Sequence, residues 1–126
     1  GVHVAHYLMP GGPGEDEATL SETLAAADKL EKTVLFFFCG VRIYPRTPLF
    51  DLALREGQIS SGQDLLTPVF YQSGKLTSDA IAEKLTAHAD GRSHWLIGSG
   101  GDKTAKVVSR LYARGHHGPL WELLTP

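Results

Sequence analysis

The residues best placed to do chemistry are Gly11, Gly12, Pro13, Gly14 and Glu15, which close one apolar stretch and open an amphipathic one. Glycines let a ligand come close to the main chain, and the N–H groups of a loop that opens a helix point at whatever binds there. Glu15 is a hydrogen-bond acceptor suited to an amine or a ribose hydroxyl. A plainer reading of the same residues is a turn that uses glycine and proline only to reverse the chain. The elements that must position this loop are a strand over Val2 to Met9 and a helix from about Asp16 to Leu30. Leu20, Leu24, Ala27 and Leu30 fall on one face of that helix.

A second unit of the same kind follows. Thr33 to Gly40 is an apolar run, too short to span a membrane and dense enough for a buried parallel strand that holds Cys39. It continues through Val41, Arg42, Ile43, Tyr44, Pro45 and Arg46 to a short helix. Thr47 suits its N-cap, Pro48 its first position and Gly57 its stop. Two consecutive βα units therefore each end their strand in a Gly- or Pro-rich loop. In parallel βα architectures the ligand site lies at that carboxyl edge.

Other candidate chemistries fail on spacing. Gly98-Ser99-Gly100-Gly101-Asp102-Lys103-Thr104 has glycines before Lys-Thr, but Asp102 stands between glycine and lysine, where it would repel phosphate, so a capped turn is expected. Gly12 and Gly14 lack the third glycine of a dinucleotide fingerprint. Ser99 has too little around it for a nucleophile elbow. His3 and His6 have opposite parity on a strand and cannot share a metal, and His116-His117 reads as an exposed turn.

Further along, Leu65 to Gln72 reads as extended. Ser78 to Ala89 reads as a helix with Ile81, Leu85 and Ala89 on one face, and His94 to Ile97 as a short strand. A last helix over Asp102 to Ala113 buries Val108, Leu111 and Tyr112, and the tail Gly118 to Leu124 docks on the body. At 126 residues and 42% hydrophobic content the chain can build one domain-sized core. A net charge of −2 makes no electrostatic case for nucleic acid. No run is long enough to span a bilayer, no signal peptide is visible, and the single cysteine suits a reducing, cytoplasmic setting.

The ordered set of strand, Gly11-Gly12-Pro13-Gly14-Glu15 and helix, then an apolar strand leading to Tyr44-Pro45-Arg46-Thr47-Pro48-Leu49 and a helix ending Glu56-Gly57, resembles the radical S-adenosylmethionine enzymes. The match follows the fifth and sixth strands of their partial (β/α)₆ barrel, with the flavour of members carrying an upstream cobalamin-binding domain. Asp64 to Tyr71 is similar to the segment after the last barrel strand. The resemblance spans Val2 to Tyr71 and fades beyond. It implies an α/β fold in which residues 1–75 are βα units of the barrel and residues 76–126 a small α/β C-terminal extension.

The same resemblance implies that Leu8, Met9 and Pro10 touch the adenine of S-adenosylmethionine. It implies that Gly11, Gly12, Gly14 and Glu15 shape the cofactor wall. Ile43, Tyr44 and Pro45 would offer backbone groups to the adenine edge, and Arg42 would meet a carboxylate or phosphate of a small-molecule substrate. Arg46 departs from the pattern, because relatives often have glycine there. A larger departure is the lack of the C-x₃-C-x₂-C loop that holds the family's [4Fe–4S] cluster, since Cys39 is the single cysteine. The expectation is a C-terminal fragment, inactive alone, that closes the cofactor pocket of a parent polypeptide. The parent supplies the cluster and any cobalamin, and exposed strand edges favour self-association. The alternatives are a free-standing, non-catalytic α/β module that binds a ligand or protein, and a nucleotide-binding enzyme weakened by the failed phosphate motifs.

Overall fold

A computed structural model describes residues 2–98 and 102–126. The chain is mixed α/β. Val4–Leu8 (β1), Thr33–Phe37 (β2) and Trp95–Ile97 (β5) form a three-stranded parallel sheet in the order β1-β2-β5. Between β2 and β5 the chain makes an excursion through Val41–Arg42 (β3) and Phe70–Tyr71 (β4), an antiparallel pair of its own. The helices are Glu17–Ala27 (α1), Pro48–Arg55 (α2), Ser78–His88 (α3) and Asp102–Ala113 (α4), followed by a 3₁₀ turn over Leu120–Leu124.

Local chemistry explains the helix boundaries. Asp16 caps α1: its Oδ1 accepts from the N–H groups of Ala18 and Thr19 at 3.1 Å, while Thr19 Oγ1 accepts from the Asp16 N–H at 2.9 Å. Thr47 accepts from the Phe50 N–H at 3.2 Å and Pro48 opens α2, as expected from the sequence. Helix α1 stops earlier than its apolar spacing suggests. Asp28 is its C-cap, and Lys32 turns the chain back at φ +51°, so Leu30 stays 40% exposed instead of extending the buried stripe.

The main core joins both halves of the chain. Leu35 and Phe37 of β2 and Trp95 of β5 pack against Leu20, Leu24 and Ala27 of α1 and against Leu76, Ile81 and Leu85. Residues 1–75 and 76–126 therefore share one core, because β5 completes the sheet that β1 and β2 begin. Both α1 and α3 cover the Leu35/Phe37 face. Alternation sends Tyr7 and Phe36 to the other face, where their rings stack at 4.9 Å. Since β2 is paired on both edges and covered on one face, the 3₁₀ turn that reaches it lies on this opposite side, where Val34 is fully buried. The tail thus docks as expected, but α4 keeps Tyr112 50% exposed, with only Val108 and Leu111 half-buried.

A second core of Ile43, Ala53, Ile59 and Tyr71 holds the excursion together. The expected single run from Thr33 through Pro45 breaks at Gly40, whose φ of +88° turns the chain out of the parallel sheet and into β3. Cys39 accordingly lies two residues beyond β2, half-buried in the turn and not within the strand. Ser99, Gly100 and Gly101 of the Gly-rich stretch lie outside the described residues. Among the described residues no helix is long and apolar enough to cross a membrane.

At the amino edge of the sheet a polar clasp ties three elements. His88 Nε2 lies 3.0 Å from Asp28 Oδ2, Arg92 pairs with Asp28, and the Arg92 guanidinium sits 5.0 Å from the centre of the Trp95 ring. Burial alone would push the Asp28 carboxyl up, but hydrogen bonds from Arg92 and His88 outweigh it and hold the group below its ordinary value of 3.8. A carboxyl lowered by folding stabilises the fold above its unfolded value and loses that contribution as pH falls through its folded value. With a third of the side chain still in water, the clasp contributes about 1 kcal/mol. Asp28→Asn should lower the urea midpoint at neutral pH and flatten its decline below the ordinary carboxylate value. Equal acid sensitivity in variant and wild type would show that Asp28 carries none of it.

Candidate functional site

The loops that follow β1 and β2 meet at the carboxyl edge of the sheet. Gly40 donates its N–H to Pro10 O at 2.6 Å, and Gly11 packs directly on Gly40. A β-carbon on Gly11 would stand 3.2 Å from the Gly40 nitrogen and 3.2 Å from Cδ1 of Ile81, and its φ of +101° already disfavours any side chain. Gly40 is hemmed in on its far side by Cβ of Phe70 at 3.2 Å. The two loops can cross this closely only as glycines.

A cavity of about 390 Å³ opens over the first loop, lined by Met9, Gly12, Pro13, Gly14, Glu15 and Thr19. Gly12, Gly14 and Glu15 are residues that the sequence pattern marks for a ligand, and Met9 is one that the resemblance implies. Pro13 and Thr19 join them because Pro13 bridges the glycines and Thr19 faces the mouth from the first turn of α1. Met9 is 59% exposed and gives the cavity its apolar wall. Leu8, Pro10 and Gly11 lie beneath: Leu8 packs against the core under α1 and α3, and Pro10 and Gly11 are buried in the crossing of the loops.

The electrostatics of the loop differ from those of a free helix N-terminus. Glu15 folds back so that its Oε2 accepts from the N–H groups of Gly11 and, at 3.2 Å, of Gly12. Its own N–H donates to Gly12 O at 3.2 Å, and its carbonyl accepts from the buried hydroxyl of Ser73 at 2.5 Å. One carboxylate oxygen is thus engaged within the loop, and the acid serves the chain before it serves any ligand. Asp16 takes two further N–H groups and is held below the ordinary carboxylate value, chiefly by the backbone N–H of Thr19 and also by Lys75 at 3.4 Å. The sequence signal for the fold-back is the i, i+4 distance from Gly11 to Glu15 across Gly-Pro-Gly.

The second loop stands beside the first without lining the cavity. Gly12 and Val41 are neighbours, a β-carbon on Gly12 falling 3.9 Å from Cγ2 of Val41. Ile43 is fully buried in the second core, and its N–H donates to Val69 O at 2.8 Å. Tyr44 and Pro45 are exposed, and Tyr44 O accepts from Thr47 Oγ1 at 2.8 Å. Arg42 stacks its guanidinium 4.8 Å from the centre of the Tyr44 ring, and its buried Nε has no hydrogen-bond partner among the described residues. Arg46, where the resemblance implies glycine, has a φ of +62°, the left-handed conformation that glycine adopts without strain.

No protein-family model, no curated protein and no solved structure matches the chain. The residues themselves bound what can be held here. Among the described residues no three His, Cys, Asp or Glu side chains gather as a metal site, and burial pushes the Cys39 thiol up, away from the thiolate a metal needs. His116 and His117 are exposed in the irregular connection between α4 and the 3₁₀ turn. The sequence gives no warning of the aromatic group on the open sheet face, where Tyr7 stacks on Phe36 and lies 6.0 Å from Phe38 with the two rings 8° from parallel. Tyr7 is 62% exposed there.

The glycines of the two loops should separate by role. Gly11→Ala adds a clash with Gly40 and Ile81 to the left-handed strain, and costs about 2–3 kcal/mol. Gly14→Ala, with open space around its β-carbon and a φ of +80°, costs about 1 kcal/mol. Chemical denaturation of both variants measures the difference; equal costs would mean that the crossing of the loops is not tightly packed.

Proposed function

We propose that the chain is the C-terminal part of a radical S-adenosylmethionine enzyme, where it helps to form the pocket for S-adenosylmethionine and substrate. The observation that carries the reading is the meeting of two successive βα loops at one carboxyl edge, with the marked residues Met9, Gly12, Gly14 and Glu15 around a single cavity. Two further features support it. The strands run parallel in chain order with α1 and α3 on one face, the arrangement of consecutive units in a βα barrel. The left-handed Arg46 stands where relatives use glycine.

The residues present fit S-adenosylmethionine and do not fit the cluster. An apolar wall at Met9 and an acceptor at Glu15 suit an adenosyl group that carries positive charge and N–H or O–H donors. When bound next to a reduced cluster, S-adenosylmethionine supplies a hydrogen-abstracting radical. This chain's part is to orient the adenosyl group on the Gly12–Gly14 wall and to exclude water from it. Arg42 of β3, whose guanidinium lies over the Tyr44 ring, would meet an anionic group of the substrate. A [4Fe–4S] cluster needs three thiolates and the chain has one cysteine, so cluster chemistry belongs to the parent polypeptide. Cobalamin, if the parent carries it, likewise falls outside these residues.

Strand β5 lies beyond the two strands that the resemblance covers, and it lengthens the sheet past the expected end of the barrel. That feature favours the second reading, a free-standing α/β module that binds a ligand or a protein. The reading frame upstream of Gly1 separates the two. A C-x₃-C-x₂-C loop on a strand end there is expected, and its lack would leave the module as the better reading. In the parent protein, Gly14→Trp should weaken S-adenosylmethionine binding at least about tenfold, since the ring enters the cavity mouth. Unchanged affinity would remove this loop from the cofactor pocket.

A further inference from the structure

The amino edge of the sheet, opposite the glycine loops, holds a second cavity of about 390 Å³. It is lined by Ala27, Asp28, Leu30, Arg92, His94 and Trp95, and a volume of this size suits a small molecule. Asp28 and Arg92 belong to the polar clasp, and the way the clasp is bonded decides what the cavity can take. Both Asp28 oxygens are engaged, Oδ1 by Arg92 and Oδ2 by His88 at 3.0 Å. Arg92 gives Asp28 only its Nη1, so its Nε and Nη2 have no hydrogen-bond partner among the described residues. The acceptors here are taken and the donors are not.

Those donors are held in place before any ligand arrives. Asp28 fixes one end of the guanidinium, and the centre of the Trp95 ring lies 5.0 Å from its Cζ. The main-chain N–H of Arg92 donates to Ala89 O at 2.9 Å. The Nε–Nη2 edge of a guanidinium grips a carboxylate through two parallel hydrogen bonds, and a pre-organised arginine loses little freedom in doing so. His94 adds an imidazole N–H to the same lining. Leu30, 40% exposed because α1 stops short of it, offers an apolar surface for the rest of the molecule. Asp28 opposes the Arg92 charge, so a monoanion suits the cavity better than a dianion such as phosphate.

We propose that this cavity binds a small organic carboxylate, whose charged group pairs with the Nε–Nη2 edge of Arg92 and whose apolar body lies against Leu30. The site is separate from the glycine-loop cavity and does not rest on the cofactor reading.

The test titrates the ¹⁵N-labelled chain with sodium benzoate while the Arg92 Nε–H and the Trp95 indole N–H are followed. Both signals should shift saturably. Benzamide, which has the same shape without the charge, and inorganic phosphate should each bind at least about tenfold more weakly. Arg92→Lys keeps a positive charge and loses the fork, and should also weaken benzoate at least about tenfold. Leu30→Ala changes a side chain outside both cores, so it keeps the test open if the arginine variant unfolds. It should weaken benzoate about threefold with the Arg92 shift retained. No saturable shift in wild type, or benzamide or phosphate binding as tightly as benzoate, overturns the proposal. Full benzoate affinity in either folded variant overturns it too.

Discussion

The close approach of Gly11 to Gly40 is the constraint on which the rest of the structure depends. Where the Gly40 N–H meets Pro10 O, the turn that ends β2 lies against the turn that ends β1. Ile81 of α3 closes over one side of the crossing and Phe70 over the other, so the same point also sets where α3 packs and where the small antiparallel sheet begins. Neither glycine could carry a side chain without moving one of four elements. Both have positive φ, so sterics and conformation select the same residue. The cavity over the first loop inherits its shape from this contact, because Gly12 and Gly14 continue directly from the pinned Gly11.

What was legible in the sequence was local. The strand before the glycines, the Asp16 and Thr47 caps, Pro48 at the helix start and the Ile81/Leu85 stripe are signals carried within a few residues, and each stands where its chemistry puts it. The misreadings share a cause in long-range packing. An unbroken apolar run from Thr33 to Cys39 gives no sign that Gly40 will leave the sheet, since that depends on Phe70 and Tyr71, thirty residues away. Leu30 has the right spacing for α1, but the helix ends at its Asp28 cap and the chain reverses through the left-handed Lys32. The clasp of Asp28, His88 and Arg92 joins positions about sixty residues apart, and no local pattern marks it.

The candidate site was half legible for the same reason. Residue types around Gly11–Glu15 mark a loop where a ligand could sit, and the cavity is there. The direction of Glu15 was hidden, because an acceptor written beside glycines reads equally as a ligand's partner or as the loop's own. Two N–H donors at i−4 and i−3 decide it, and they are available only once Gly11 and Gly12 adopt the geometry that Gly40 enforces. The carboxylate's orientation is thus a consequence of the glycine crossing.

The open face of the sheet bears on how the chain is used. A doubly wound sheet buries both faces under helices, whereas here α1 and α3 share one face and the other carries the Tyr7, Phe36 and Phe38 rings beside a short docked tail. Tyr7 lies on β1, an edge strand whose far side has no partner among the described residues, and Val4 and Tyr7 are exposed along it. An isolated module would be expected to blunt such an edge with charge, proline or a bulge. This one presents Val, Ala, His, Tyr and Leu in an unbroken strand. Both features leave apolar surface of β1 exposed, along its edge and on the aromatic face.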